Sequence, residues 1–188
     1  MSIDPVNDEI YVAEQDHIKV YPRSANGDVA PLRVLGGPKT QLENTWGTQG
    51  LRGVGVDWIN NVLVVTGYFQ DRGRILIFDR TASGDTKPRA VVAGPKSGLT
   101  GASYSMRVYP PKGWILVPRG GGLGVWSIHD NGDIPPLYLL GRPSEGGGGG
   151  GGDGGTGLGD RFSFNPKARE IYAESNNGIK AYSFPEIF

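Results

Sequence analysis

The residues able to do chemistry in this 188-residue chain are few. There is no cysteine, which removes disulfides, thiolate metal sites and cysteine nucleophiles. The two histidines, His17 in "EQDH" and His129 before "DNGD", stand in segments that cannot easily cooperate, and no Gly-x-Ser-x-Gly elbow is present. Asp4, Asp57 and Asn165 recur at one repeat position. Calcium, the only cofactor these residues leave open, would need several such oxygens converging on one point. Their repetition points instead to capping of the turn that follows each, and the fourth equivalent, Tyr109, is a poor calcium ligand. No catalytic residue is assigned. What remains is a set of aromatic and arginine side chains in loop contexts: Trp46, Arg52, Tyr68, Phe69, Arg72, Tyr104, Arg119 and Arg161. Such a mixture can stack on a sugar, a peptide or a base, and the set is the candidate ligand-binding face.

The elements that would position these residues repeat. "ANGDVAPLRVLGGPKTQL" from Ala25 returns as "ASGDTKPRAVVAGPKSGL" from Ala82 and, more loosely, as "DNGDIPPLYLLGRP" from Asp130. Matching apolar segments lie between them: "EIYVA" from Glu9, "VLVVT" from Val62, "WILVP" from Trp114 and "EIYAE" from Glu170 form one set. "IKVYPR" from Ile18, "ILIFDR" from Ile75, "LGVWSI" from Leu123 and "IKAYSF" from Ile179 form another. Each is short, rich in β-branched and aromatic residues, and bounded by Gly, Pro, Asn or Asp, as strands are. No long window carries a helical period without Gly or Pro interrupting it. Four short antiparallel strands per unit of roughly 50 residues is the pattern of a β-propeller blade. The expected class is all-β, with three complete four-stranded blades at 1–42, 53–99 and 106–143 and a three-stranded fourth at 161–188. A Gly-rich linker at 144–160 joins the last two. The Gly-Asp pairs read as hairpin chemistry between third and fourth strands.

"GVGVDWINNVLVVTGYFQDRGRILIFDR" resembles an NHL repeat, in which a "GIAVD"-like strand precedes an "NIYVAD"-like strand, a polar loop and a "RIQVF"-like strand. The resemblance covers nearly the whole chain as four copies. It implies a propeller. It also implies one of several activities: a protein- or RNA-binding scaffold, a sugar-lactone hydrolase, or a peptide-amidating lyase. The lyase would need several histidines around zinc, and the chain has two.

Two phosphate-loop imitations fail on their chemistry. The glycine run Gly146–Gly152 leads into "RFSFN", a strand rather than a helix, and reads as a surface loop. "GGPKT" and "GPKSG" place Pro before Lys, which removes an amide that a phosphate would use. Charge is balanced at 19 basic and 19 acidic residues, so no electrostatic case exists for nucleic acid. No apolar run reaches membrane-spanning length. The first residues already read as strand rather than leader, although the NHL resemblance implies an extracytoplasmic or secreted setting.

The unit count leaves a sixteenth strand missing. The chain then reads as part of a longer propeller, as a half-ring completed by a second copy, or as a four-bladed ring. An uncovered sheet edge invites pairing. The expected role is therefore noncatalytic: recognition of a protein or extended ligand through strand-edge pairing at Ile179, Ala181, Tyr182 and Phe184, together with the loop-bearing face. Self-association is one route to completing the ring. The alternatives are part of a lactonase-like or amidating-lyase-like enzyme and a structural subunit of an extracellular assembly.

Overall fold

The computed structural model describes residues 1–42, 51–69, 72–99, 105–119, 122–141, 161–175 and 178–188. The chain is all-β, in four antiparallel sheets that follow one another along the sequence. The first holds β1 (Ser2–Asp4), β2 (Glu9–Glu14), β3 (His17–Pro22) and β4 (Arg33–Gly36). The second holds β5 (Leu51–Asp57), β6 (Val62–Phe69), β7 (Arg72–Asp79) and β8 (Ala90–Val92). The third holds β9 (Arg107–Tyr109), β10 (Trp114–Arg119), β11 (Gly122–Ser127) and β12 (Tyr138–Leu140). The fourth has three strands, β13 (Phe162–Asn165), β14 (Glu170–Ser175) and β15 (Gly178–Ser183). Strands neighbour one another in chain order within every sheet, the up-and-down order of propeller blades. Among the described residues no helix is long and apolar enough to cross a membrane.

Three apolar layers hold consecutive blades face to face. Tyr11, Ile18, Val20 and Leu35 of the first blade pack on Val54, Val56, Leu63, Val65, Leu76 and Phe78 of the second. The opposite side chains of the second blade, Val62, Val64, Ile75 and Ile77, meet Ile115, Val117 and Trp126 of the third. Burial on both faces explains why "VLVVT" and "ILIF" read as continuous apolar runs rather than alternating ones. The third layer sets Leu116, Leu123 and Val125 against Phe162, Ile171, Ala173, Phe184 and Ile187. Tyr109, Phe164 and Phe188 close it edge-on, with the Tyr109 ring 5.6 Å from Phe164 and 5.4 Å from Phe188. Each fully buried side chain of this size stabilises the fold by about 1.5–3 kcal/mol.

The connections between second and third strands are tighter than the loops expected from sequence. The ladders extend to the pairs Glu14↔His17, Phe69↔Arg72, Arg119↔Gly122 and Ser175↔Gly178, so two residues separate the paired strands in each blade. "GYFQDRGR" and "PRGGG" are therefore mostly strand, because the ladder pairing extends through their polar ends. His17, expected in a loop, opens β3.

Candidate functional site

The repeated Gly-Asp phrase does its work between blades. Gly84 donates its N–H to Val34 O at 2.7 Å and accepts from Gly36 N–H at 3.1 Å. Asp85 then accepts the Lys39 amide at 2.6 Å, inside the 3₁₀ turn Pro38–Thr40 that leaves the first blade. The third blade repeats the device. Gly132 pairs with Val91 and Ala93, and Asp133 accepts the Lys96 and Ser97 amides at 2.8 and 3.3 Å. The expectation of plain hairpin chemistry is corrected here. The triplet also clasps the preceding blade, and Gly-Pro-Lys-Thr/Ser is the turn it holds. Thr40 and Ser97 complete that turn from inside, their hydroxyls donating to Gly37 O and Gly94 O. The first blade's own triplet, Asn26-Gly27-Asp28, is exposed, and Asp28 has no partner among the described residues.

Asp4 and Asp57 are fully buried, and each caps its turn. Asp57 accepts the Ile59 and Asn60 amides at 3.1 and 2.8 Å and the Asn60 side-chain amide at 2.8 Å. Asp4 does the same for Val6 and Asn7. Asn165 accepts the Ala168 amide at 3.3 Å. Among the described residues, no three His, Asp or Glu side chains gather in a metal-holding group. His17 is held at the surface between Asp16, 2.6 Å from Nδ1, and Glu14, 3.0 Å from Nε2.

A polar cluster that sequence reasoning missed lies at the seam of the first two blades. Arg33 forks onto Glu9 with N–H donors at 2.7 and 2.8 Å, and Arg80 of the second blade donates to Glu9 Oε2 at 2.6 Å. The Tyr11 hydroxyl donates to the same oxygen at 2.7 Å. The Arg33 bonds hold the Glu9 carboxyl below its ordinary range. Burial, then the bond to Glu9, pushes the Tyr11 phenol up to about 12. "EIY" recurs at Glu9 and Glu170, but the arginines that meet Glu9 stand in "PLRVLG" and at the end of "ILIFDR", 24 and 71 residues along the chain.

The fourth blade carries half of this cluster. The Tyr172 hydroxyl donates to Glu170 Oε2 at 2.7 Å, as Tyr11 does to Glu9, and no cation lies within 4 Å of Glu170 among the described residues. Tyr172 is 36% exposed where Tyr11 is 0%, and Ile179 is 79% exposed where its counterpart Ile18 is 0%. Among the described residues, β15 has a neighbour on one side only, β14. Of the four residues expected at this edge, Ile179 and Ala181 lie on the open side. Tyr182 and Phe184 turn inward against the third blade, where the Phe184 ring stands 6.2 Å from Tyr138. Alternation along β15 separates the two pairs.

The expected loop-bearing face is described in part. Trp46 and Tyr104 lie outside the described residues, as does the linker 144–160. Arg52, Tyr68, Phe69 and Arg72 fall in β5, β6 and β7, and their side chains lie outside the described set. Arg161 is exposed. Arg119 is half-buried, and burial lowers its guanidinium pKa. A β-carbon on Gly98, which ends the second interblade turn, would collide with that guanidinium. Gly73 donates to Leu99 O at 2.9 Å and Arg74 to Gln41 Oε1 at 3.1 Å, so hairpin tips and interblade links share one side.

No family model matches the chain, and no curated protein matches it. One solved structure similar to it is dihydro-heme d1 dehydrogenase NirN in complex with DHE, at 16% identity and a TM-score of 0.48. That likeness covers 99% of this chain and 43% of the other, so the chain spans less than half of that structure's length.

Proposed function

We propose that the chain is a noncatalytic recognition module of NHL-like blades that binds an extended protein segment along β15. The observation that carries this reading is the single-sided pairing of β15 with Ile179 left 79% exposed beside it. Strand addition draws affinity from main-chain hydrogen bonds and specificity from the alternating side chains. The engagement of Asp4, Asp57 and Asn165 in turn capping supports a scaffold over a channel enzyme. The NHL resemblance is supported by the strand order within each blade and by the buried Asp at the end of β1 and β5.

Amide hydrogen exchange combined with light scattering over a dilution series tests the reading. A monomer whose β15 amides exchange far faster than those of β11 has an available edge. Protection in β15 equal to that in β11, in a monomer without ligand, would show the edge already covered and refute the proposal. A stable species of twice the chain mass would make the bound segment part of a second copy.

A further inference from the structure

The first blade shows what chemistry the open edge of the fourth would select. In the first blade one cross-strand row runs Tyr11↔Val20↔Arg33, and the next on that face ends Ile18↔Leu35. Arg33 thus crosses Val20 to reach Tyr11, which it contacts at 3.1 Å, and Glu9, which it grips with both terminal nitrogens. The fourth blade has the same rows one strand short. Tyr172↔Ala181 and Glu174↔Ile179 stop at β15. The Glu170–Tyr172 pair is already set in the Glu9–Tyr11 arrangement, with the same 2.7 Å bond. Entry of the fourth strand also follows one rule in three blades. Leu32 donates its N–H to Val20 O, Arg89 to Ile77 O and Leu137 to Val125 O, at 2.7–2.8 Å. The matching position in β15 is Ala181.

We infer that the edge of β15 selects an antiparallel segment of a second polypeptide carrying Arg-x-aliphatic, with the arginine opposite Ala181 and the aliphatic residue opposite Ile179. The arginine forks onto Glu170 beside the Tyr172 hydroxyl. The aliphatic side chain covers Ile179. The residue before the arginine donates to Ala181 O. Arginine fits and lysine does not, because only the planar guanidinium offers two parallel donors to both carboxylate oxygens. Glu174, exposed on the same face, adds to the preference for a basic segment. The inference rests on the strand-accepting reading above and adds the identity of the strand.

The probe is a synthetic peptide with the sequence of residues 30–37, Ala-Pro-Leu-Arg-Val-Leu-Gly-Gly, titrated into the full chain by fluorescence anisotropy. Replacing its arginine by alanine is expected to weaken binding roughly tenfold, and Glu170→Gln in the chain to weaken the parent peptide by a similar factor. The two changes together should cost little more than either alone. Glu170→Arg should in turn prefer a peptide carrying glutamate in place of its arginine. Equal binding of the arginine and alanine peptides, with β15 protected from exchange by both, would overturn the arginine preference and leave the strand-accepting reading standing. Failure of every strand peptide to bind or to protect β15 would overturn both.

Discussion

Asp85 of the second blade accepts the backbone amide of Lys39 in the turn leaving the first, at 2.6 Å across 46 residues of chain. Asp133 stands in the same relation to Lys96 across 37. The chain writes Gly-Asp and Gly-Pro-Lys-Thr/Ser as separate phrases, and folding makes each the receptor of the other. Asp85→Ala and Asp133→Ala should each lower stability by about 1 kcal/mol, read as a shift in urea midpoint at constant slope.

The glycines facing those carboxylates tolerate no side chain. Gly37 and Gly94 have φ of 118° and 123°, and a β-carbon on either would meet Asp85 or Asp133. Gly37→Ala and Gly94→Ala should therefore cost more than loss of the aspartates they face, about 2 kcal/mol or above. Thermal unfolding of the paired variants ranks them.

At the first seam, Glu9 neutralises two arginines that are each less than a fifth exposed. Glu9→Ala leaves Arg33 without a carboxylate and Arg80 with only Asp4, 3.7 Å away, and should cost about 3 kcal/mol, more than Arg80→Ala, which leaves the Arg33 fork intact. Denaturant unfolding of the two variants gives the order.

The same seam predicts a window of pH stability. The folded state holds the Glu9 carboxyl below its ordinary range, so its contribution is complete above the unfolded value near ~4.3 and is lost as pH falls through the folded one. The Tyr11 phenol, pushed up to about 12, stays protonated in the fold while the unfolded phenol ionises near ~10. Its contribution is therefore lost as pH rises from there. Melting temperature should decline at both ends, and Tyr11→Phe should flatten the alkaline limb.

Asp57 caps its turn from a fully buried position with three accepted hydrogen bonds. Asp57→Asn keeps one acceptor oxygen and should be mild. Asp57→Ala leaves the Ile59 and Asn60 donors without their partner and should lower stability by about 2 kcal/mol, measured by urea unfolding.

The strands were legible in the sequence because their signals are local. "VLVVT" and "ILIFDR" are bounded by turn residues, and their unbroken apolar character reports burial on two faces. Asp4 and Asp57 were legible as caps because the amides they bind lie within three residues. Asp85 and Glu9 were not: the amide Asp85 accepts lies in another blade, and the arginines on Glu9 stand 24 and 71 residues away, so no local pattern marks either. Phe184 was placed at the open edge from its place after "IKAYS". The chain instead turns at Pro185–Ile187 and brings Phe184 and Ile187 down into the aromatic layer.

The clasps give the stack a direction. Each reaches back from a blade's third-to-fourth connection to the blade before it, and the three-stranded fourth blade has no such connection to reach with. Among the described residues it is held by apolar and aromatic contact and by Arg107 over the Phe162 ring, an arrangement that slides more readily than hydrogen bonds shear. Drawn apart by its ends in an optical trap, the chain should release the fourth sheet first at low force. The three clasped sheets should then yield in larger steps, so that an edge-bound strand would be shed under load before the body of the protein opens.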